Sequence, residues 1–416
     1  MSRQGAPLGV VMPSLNQRPY LSRAVSSVID GGLPEVQLIV SDGGSVDGTQ
    51  LDLAALALAH PGRIQWMSGP DRGPADAVHR AIQRSDADVI GWLNSDDFYT
   101  EGALPLAVEH LRSHPHHVAV YGHGVLVDRA GQRIDRYPTK PPSTPLQAFA
   151  EGCFICQPTM FLRREAYFAL GGLDTRLRTA FDFDLWVRLF KACPDRIGFL
   201  EHELAVSRVH EASITSRSRR LVAIEGAAVV SRHIGPAPAE WALTHVDELC
   251  AAHPFEAEPA SPANSAAALI AEISPCLSAA ALETCGRRVA QDRRLALGTP
   301  DLAVDVTPDG WAGPLMQVRV RQPSAPFASL RLRGRHQGPQ AEGLRITVHG
   351  PSGIEQRFGP LGRGDFEIEW PLTDGRPGSS MVFTLQSQPP FVPARTEPGS
   401  LDERDLVWQV LAAQLS

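Results

Sequence analysis

The chain has little that would cross-link it or hold it in a bilayer. Its six cysteines, at positions 153, 156, 193, 250, 276 and 285, follow no disulfide-framework spacing in a chain of 416 residues. Cys153-Phe154-Ile155-Cys156 has the form CxxC, but no second pair exists and apolar residues fill the gap, so no zinc or redox role is expected. No uncharged apolar run approaches the roughly 18 residues that span a bilayer, and no basic-then-apolar leader is read at the start. An excess of positive charge is missing too: 39 Lys and Arg against 46 Asp and Glu leave a formal charge of -7, which argues against broad nucleic-acid binding. GxSxG, GxxxxGK and a dinucleotide glycine fingerprint are all absent, which removes the serine hydrolase, P-loop and classical cofactor readings. With 43% hydrophobic residues the composition suits a cytoplasmic enzyme of more than one domain. Arg217, Arg219 and Arg220 read as a solvated helix start, the one feature that would also suit peripheral contact with the inner face of an inner membrane.

What is present is a series of acidic loops at the ends of apolar strands. A run at 8–12 ends in Pro13-Ser14-Leu15-Asn16, and 20–29 then reads as a helix. Leu38-Ile39-Val40 ends in SDGGSVDGT, residues 41–49, before a helical stretch at 51–60. Glycines 43, 44 and 48 let that backbone turn and approach a ligand, while Ser45, Asp47 and Thr49 are helix-capping types. The run 87–93 ends in Asn94-Ser95-Asp96-Asp97. Open α/β sheets bind ligands at this edge. Two adjacent carboxylates repel unless a cation or hydrogen-bond donors hold them, so the pair suits a divalent metal carrying a phosphate; a plain N-cap for a helix near Gly102 is the alternative.

Two later blocks carry polar groups in ordered contexts. Leu185, Trp186, Leu189 and Phe190 recur at helical spacing, placing Asp182 near a helix N-terminus, where the dipole keeps a carboxylate ionised. Asp182 as an N-cap is the alternative, with Asp184 its rival for any chemical role. In 207–215 an alternating strand would put Arg208 and His210 on one face. His110, His114, His116 and His117 also cluster, but Pro115 interrupts them at a helix end, where histidines are usually solvated.

Taken in order, PSLN, SDGGSVDGT, GPDRGPADA (69–77), LNSDD and FDFDLW (181–186) resemble an inverting glycosyltransferase of family 2 with the GT-A fold, over about the first half of the chain. The resemblance implies an α/β domain with a Rossmann-like mixed sheet. It makes Asp42 the uracil-reading carboxylate, with Pro13 and Asn16 lining the nucleotide cleft and Asp71, Gly73 and Asp76 as the second nucleotide-contacting segment. LNSDD stands where the family has its DxD signature, with Asn94 at the first acidic position. That assigns Mn²⁺ or Mg²⁺ to Asp96 first, Asp97 as second ligand or ribose contact, and His210 to close the shell, with Arg208 beside the diphosphate. Asp182 matches the Asp of the family's Glu-Asp base pair, Phe181 replacing the Glu. Gln157, Trp92 and Asp184 fall to the sugar or acceptor side, although core packing is the default for Trp92.

The activity implied is metal-assisted single displacement from a nucleotide-diphosphate sugar, UDP-sugar favoured, to a hydroxyl of a glycan, lipid-linked or protein acceptor in bacterial surface polysaccharide or glycoconjugate synthesis. A sugar nucleotidyltransferase is one alternative. A non-catalytic nucleotide-sugar or glycan-binding protein, in which Asn94 and Phe181 mark lost chemistry, is the other.

The second half changes character. Expected boundaries are 1–235 for the catalytic domain, 236–298 for a helical linker region and 299–416 for an all-β sandwich. Within that region, 253–265 reads as a linker and 266–297 as a pair of helices that would suit a spacer or a homo-oligomer contact. From about 300 the pattern alternates with period two, with Trp311 and Trp370 as the tryptophans in its strands. The ending resembles a module appended to many bacterial glycosyltransferases, with an Asp-Arg pair, either Asp402 with Arg404 or Arg404 with Asp405, before the last strand.

Overall fold

Short aliphatic runs buried on both faces define the first sheet. β1 (Leu8–Ser14), β2 (Gln37–Asp42), β3 (Ile64–Ser68) and β4 (Val89–Trp92) pair in parallel in the order β3-β2-β1-β4, and β4 is buried along its whole length. Continuous rather than alternating hydrophobicity is what a parallel sheet covered by helices requires. The computed structural model describes residues 7–252, 260–323, 326–339, 342–353, 355–372, 376–397 and 399–416, in two units, Met1–Pro238 and Ala239–Ser416.

In the first unit, helices Arg18–Ile29 and Ala103–Ser113 press Leu21, Val25, Val28, Leu104, Ala107 and Leu111 into one core with Val10, Leu38, Val40 and Leu93. Each such large aliphatic side chain contributes roughly 1.5–3 kcal/mol by leaving water. Beyond β4 the sheet becomes mixed. β5 (Phe98–Tyr99), β6 (Ala119–Val127), β7 (Arg133–Arg136), β8 (Phe161–Arg163) and β9 (Ile197–Arg208) extend it as β4-β8-β6-β9-β5, with β7 on β6. Chain order reverses between β1 and β4, so the loops after these two strands open a crevice at their C-terminal ends. The antiparallel register of β5 on β9, Phe98 opposite Val206, then carries the end of β9 back to the residues just before Phe98. That pairing is what brings residues about 110 positions apart into one site.

The second unit is an antiparallel sandwich with helices. One sheet orders β10 (Leu302–Val304), β12 (Leu315–Arg321), β17 (Ser380–Gln388), β14 (Leu344–His349) and β15 (Glu355–Leu361); the other orders β11 (Trp311–Ala312), β18 (Trp408–Leu415), β13 (Ser329–His336) and β16 (Gly364–Pro371). Alternate residues of both sheets, among them Val318, Phe383, Leu332 and Ile368, share one core. Trp370 and Trp408 are both within it, so the tryptophans of the strands include one more than the alternating pattern suggested, while half-buried Trp311 packs edge-on to Phe391. Of the two possible pairs near the end, the first forms: Arg404 holds Asp402 and, through two further bonds of 3.0 and 2.9 Å, Asp309. The α/β class with a mixed sheet, then helices, then an all-β sandwich, is the architecture expected.

One boundary needs correction. Residues 253–259 of the expected linker lie outside the described residues, but helix Pro262–Ile273 takes up its last four positions. Ser261 caps it by accepting from the Asn264 N–H, and Pro262 sits where its missing N–H costs nothing. Helices Ala279–Gln291 and Arg293–Leu297 follow, three in place of two. Among the described residues no helix is long and apolar enough to cross a membrane.

Candidate active site

Three loops at the C-terminal ends of β1, β2 and β3 are knitted into one wall. Asn16 is the single non-glycine residue at positive φ, 53°, among the described residues, a conformation Asn tolerates better than other side chains. Its backbone N–H donates to Ser45 Oγ at 2.7 Å and its Oδ1 accepts from Val46 N–H at 2.9 Å. Asp42 is buried and accepts from the N–H groups of Gly44 and Ser45, from the Ser45 hydroxyl and from the Ser68 hydroxyl. Three of these bonds fall on Oδ2 and one on Oδ1, which leaves a single acceptor position on Oδ1. A Cβ on Gly43 would stand 3.0 Å from Asp71 Oδ2, so glycine is what lets the second and third loops approach. Asp71 accepts from Gly73 N–H through its other oxygen. Pro13 is half-buried in β1, and beside it the buried Ser14 hydroxyl has no hydrogen-bond partner among the described residues. Asp76 is spent locally: burial works against its charge, but Arg72, bonded through both side chain and backbone, holds its carboxyl below the usual range. An open hollow of about 680 Å³ runs from Asp71 along Asp76 and His79 of helix Pro74–Arg84; its lining does not include Asp96, Asp182 or His210.

The adjacent carboxylates after β4 divide their work. Asp96 Oδ2 and His210 Nε2 are 3.0 Å apart, converging from the end of β4 and from the turn after β9. Tyr20 packs on His210 at 5.3 Å between ring centroids and takes the Arg208 guanidinium at 4.8 Å on its ring. Asp97 does not share this position. Its Oδ1 accepts from Arg208 N–H at 2.8 Å and its Oδ2 from Asn94 Nδ2 at 3.3 Å, and burial together with the neighbouring Asp96 charge pushes its pKa well up. Asp97 therefore braces the loop in place of acting as the second metal ligand. Arg208 also differs from expectation, because Nε bonds the Asp96 carbonyl and Nη1 the carbonyls of Asp128 and Arg129, leaving only Nη2 for a diphosphate. The strand ends at Arg208, so His210 reaches Asp96 from a turn and not from a shared strand face.

Asn94, Gln157 and Trp92 form a closed chain. Trp92 Nε1 donates to Asn94 Oδ1, Asn94 Nδ2 donates to Gln157 Oε1, and Gln157 Nε2 returns to the Trp92 carbonyl at 2.8 Å. Asn94 Nδ2 also donates to Asp97, so Asn94 keeps no spare N–H, whereas Gln157 keeps one N–H and each amide oxygen one acceptor position. Trp92 is buried and stacks at 5.4 Å on Phe181, the residue standing where the family has Glu.

Asp182 lies in the first turn of helix Phe181–Ala192, whose N-cap is Ala180 rather than Asp182. Its Oδ1 accepts from Phe183 N–H, yet burial wins and raises its pKa to about 6. The carboxylate is still ionised at neutral pH, but removing water costs the charge more than the helix terminus returns. The orphan N–H groups ahead of the helix are satisfied from elsewhere. Glu225, buried in helix Arg219–His233, accepts from the N–H groups of Arg178, Thr179 and Ala180 at 2.8–3.1 Å and from the Thr179 hydroxyl. Asp184 faces away into packing, 2% exposed, bonded by Arg188 at 2.8 Å and His233 at 2.8 Å, and is not a rival base. Burial foremost drives the pKa of Cys153 and Cys156 up, away from redox reactivity.

Residues 9–170 match the model of glycosyl transferase family 2. The match lies within the N-terminal unit. Similar proteins include an uncharacterized glycosyltransferase of Rickettsia conorii, 24% identical over 216 residues, and chondroitin synthase of Escherichia coli, 24% identical over 187 residues. The alignments cover 49% and 45% of this chain but only 34% and 27% of those proteins. Among solved structures, S. aureus TarS 1-349 in complex with UDP-GlcNAc aligns with a TM-score of 0.47 at 14% identity, covering 77% of this chain and 97% of that one.

In the cleft, a divalent cation fits beside Asp96. Asp96 Oδ1 has no bond among the described residues, Oδ2 already points at the half-ring of His210, and a carboxylate plus one imidazole is a donor set that Mn²⁺ or Mg²⁺ accepts when oxygens supply the rest. Glu225, Ser14, Ser45, Ser68 and Tyr20 were not singled out in the sequence as site residues. Only Ser14 and Ser45 carried a signal, by lying inside the two loop motifs.

Proposed function

We propose that the first unit is an inverting glycosyltransferase that moves a sugar from a nucleoside-diphosphate donor to an acceptor hydroxyl. The reading rests above all on one arrangement: a half-buried Asp182 with its pKa raised to about 6, in a unit whose Asp96 and His210 meet at 3.0 Å at the strand edge. A base of that strength is ionised at neutral pH and still takes up a proton readily, which is the compromise general-base catalysis favours. Asp182 withdraws the proton of the acceptor hydroxyl as its oxygen attacks the anomeric carbon. The bond to the diphosphate oxygen breaks in the same displacement, the anomeric centre inverts, and an α-linked donor yields a β-linked product.

Asp96 and His210 would hold Mn²⁺ or Mg²⁺, which when bound compensates the negative charge on the departing diphosphate. Asp42, with one acceptor position left on Oδ1, suits a base N–H and favours uridine; Asp71 and the unpartnered Ser14 hydroxyl lie next to it for the rest of the nucleotide. The acceptor is a hydroxyl of a glycan, lipid-linked or protein substrate of a bacterial surface polysaccharide or glycoconjugate route. The bracing roles of Asn94 and Phe181 speak for an intact site and against the binding-protein alternative.

The test is release of nucleoside diphosphate from a panel of UDP-, GDP- and dTDP-sugars with Mn²⁺, for the wild type, Asp96→Ala and Asp182→Asn. Release from one donor that both substitutions remove supports the proposal. Pyrophosphate as the product, or release that Asp96→Ala leaves unchanged, overturns it.

A further inference from the structure

The histidines that close helix Ala103–Ser113 are arranged as ligands. We propose that His110, His114 and His117 form a binding site for a transition-metal cation that prefers imidazole, Zn²⁺ first, on the sheet edge opposite the donor cleft. One nitrogen from each of the three lies within 4.8 Å of the others. His110 and His114 are four apart and share a helix face. The chain then folds back, with the His117 N–H donating to the His114 carbonyl at 2.9 Å, so that His117 Nδ1 comes to 2.9 Å from His110 Nε2. Tetrahedral zinc, at 2.0–2.1 Å from each nitrogen, sets nitrogens about 3.3 Å apart, a small adjustment of surface side chains.

The surroundings fix this geometry. Arg163 donates to the carbonyls of Leu111 and His117 at 2.7 and 2.8 Å, and Arg196 to that of His116 at 3.0 Å, clamping the turn at both ends. A Cβ on Gly198 would stand 2.1 Å from His110 Nε2, so the strand behind has been left bare where the imidazole needs room. His114 Nδ1 lies 3.0 Å from the His110 carbonyl and 3.3 Å from the Ser113 hydroxyl; the carbonyl can only accept, which favours Nδ1 as the donor and turns Nε2 to a ligand. Burial first, then the neighbouring imidazoles, lower the pKa of His110 and bring that of His117 to about 4, leaving both rings neutral, the form that binds a cation. His116, with its ring 4.2 Å from that of His117, or a water can take the fourth position.

The donor set also separates this site from the cleft. Three imidazoles near two arginines give no advantage to Mg²⁺ or Mn²⁺, which want oxygens, but suit Zn²⁺, Ni²⁺ or Cu²⁺. β4 and β6 are each antiparallel to β8 and hence parallel to one another, so the start of β6, next to His117, is at the edge away from Asp96. A cation there would pin the last helical turn to the first residues of β6.

The experiment uses the full chain without a histidine tag, stripped with chelator, and titrates ZnCl₂ by calorimetry and by thermal melting for the wild type, His114→Gln, His117→Gln and Asp96→Ala. Expected are one more zinc equivalent in the wild type and Asp96→Ala than in either histidine variant, at least a tenfold loss of affinity on substitution, and a zinc-dependent rise in Tm that the histidine variants lack. His114→Gln should melt as the wild type does without metal, and His117→Gln guards against an effect special to one position. Equal zinc stoichiometry with affinities within twofold in all four proteins overturns the site; so does loss of the extra equivalent in Asp96→Ala alone.

Discussion

Asp182→Asn should stabilise this protein while removing its chemistry. The carboxyl is held in a half-buried first helical turn at a pKa of about 6 against an ordinary 3.8, so the folded chain binds its proton more tightly than the unfolded chain does. The sign follows. Below about pH 4 both states are protonated and the group costs nothing; between about pH 4 and 6 the folded state alone resists ionisation, and stability falls to a plateau above about 6. At about 1.4 kcal/mol per pKa unit the full penalty is at most about 3 kcal/mol. Asparagine keeps an oxygen for the Phe183 N–H but adds an amide to satisfy, so a net gain on the order of 1–3 kcal/mol is expected above pH 6. For a unit of this size that is a rise in Tm of several degrees, at about 2–4 °C per kcal/mol. Melts of both proteins at pH 4.5, 5.5, 6.5 and 7.5 should show a difference that is small at the acid end, grows through 5.5 and then levels off. A difference independent of pH, or a less stable variant at pH 7.5, would refute the account of Asp182 as a strained base.

The same group predicts the activity profile: kcat/KM should fall about tenfold per unit as pH drops below about 6, and the acid limb should be followed with saturating metal. Glu225→Gln removes the charge that gathers three backbone N–H groups ahead of Asp182 and should cost about 1–3 kcal/mol of stability; it should lower kcat more than it raises the donor KM, read by steady-state kinetics beside a melt. Asp97→Ala should act through the loop, losing about 1–3 kcal/mol by stripping acceptors from Arg208 N–H and Asn94, whereas Asp96→Ala should leave the melt nearly unchanged and abolish metal-dependent turnover. Trp370→Ala opens the sandwich core and should cost about 3–5 kcal/mol, measured by urea unfolding.

What could be read from the sequence was whatever local chemistry writes. Apolar runs broken by Pro, Gly and Asp marked β1, β2 and β4 and the loops after them, because a buried parallel strand needs the first and a tight turn into a helix needs the second. The alternation from 300 onward marked the sandwich for the same reason. Ser261-Pro262 carried a helix-start signal that the surrounding prolines hid. Glu225 left no trace, since a glutamate on a helix reads as a solvated face until its partners 45–47 residues away are known. His210 was reachable through the family resemblance alone, its partner standing 114 residues earlier and the meeting made by the register of β5 on β9.

The harder distinction was among the acids, which all look alike on paper. Asp42 keeps one acceptor position on Oδ1, whereas Asp97, Asp184 and Glu225 have both carboxylate oxygens filled by protein donors and Asp76 is tied to Arg72. A buried carboxylate filled in this way has become structure, and breaking its bonds to serve a ligand would forfeit roughly 1–3 kcal/mol for each donor left unpaired. Among the described residues, Asp71 Oδ2, Asp96 Oδ1 and Asp182 Oδ2 accept no hydrogen bond. Those three stand on the third, fourth and later loops of the same unit, one beside the nucleotide wall, one beside His210 and one at a raised pKa. Free acceptor capacity, more than acidity or position in a motif, is what separates the groups left for chemistry from those that hold the cleft in shape.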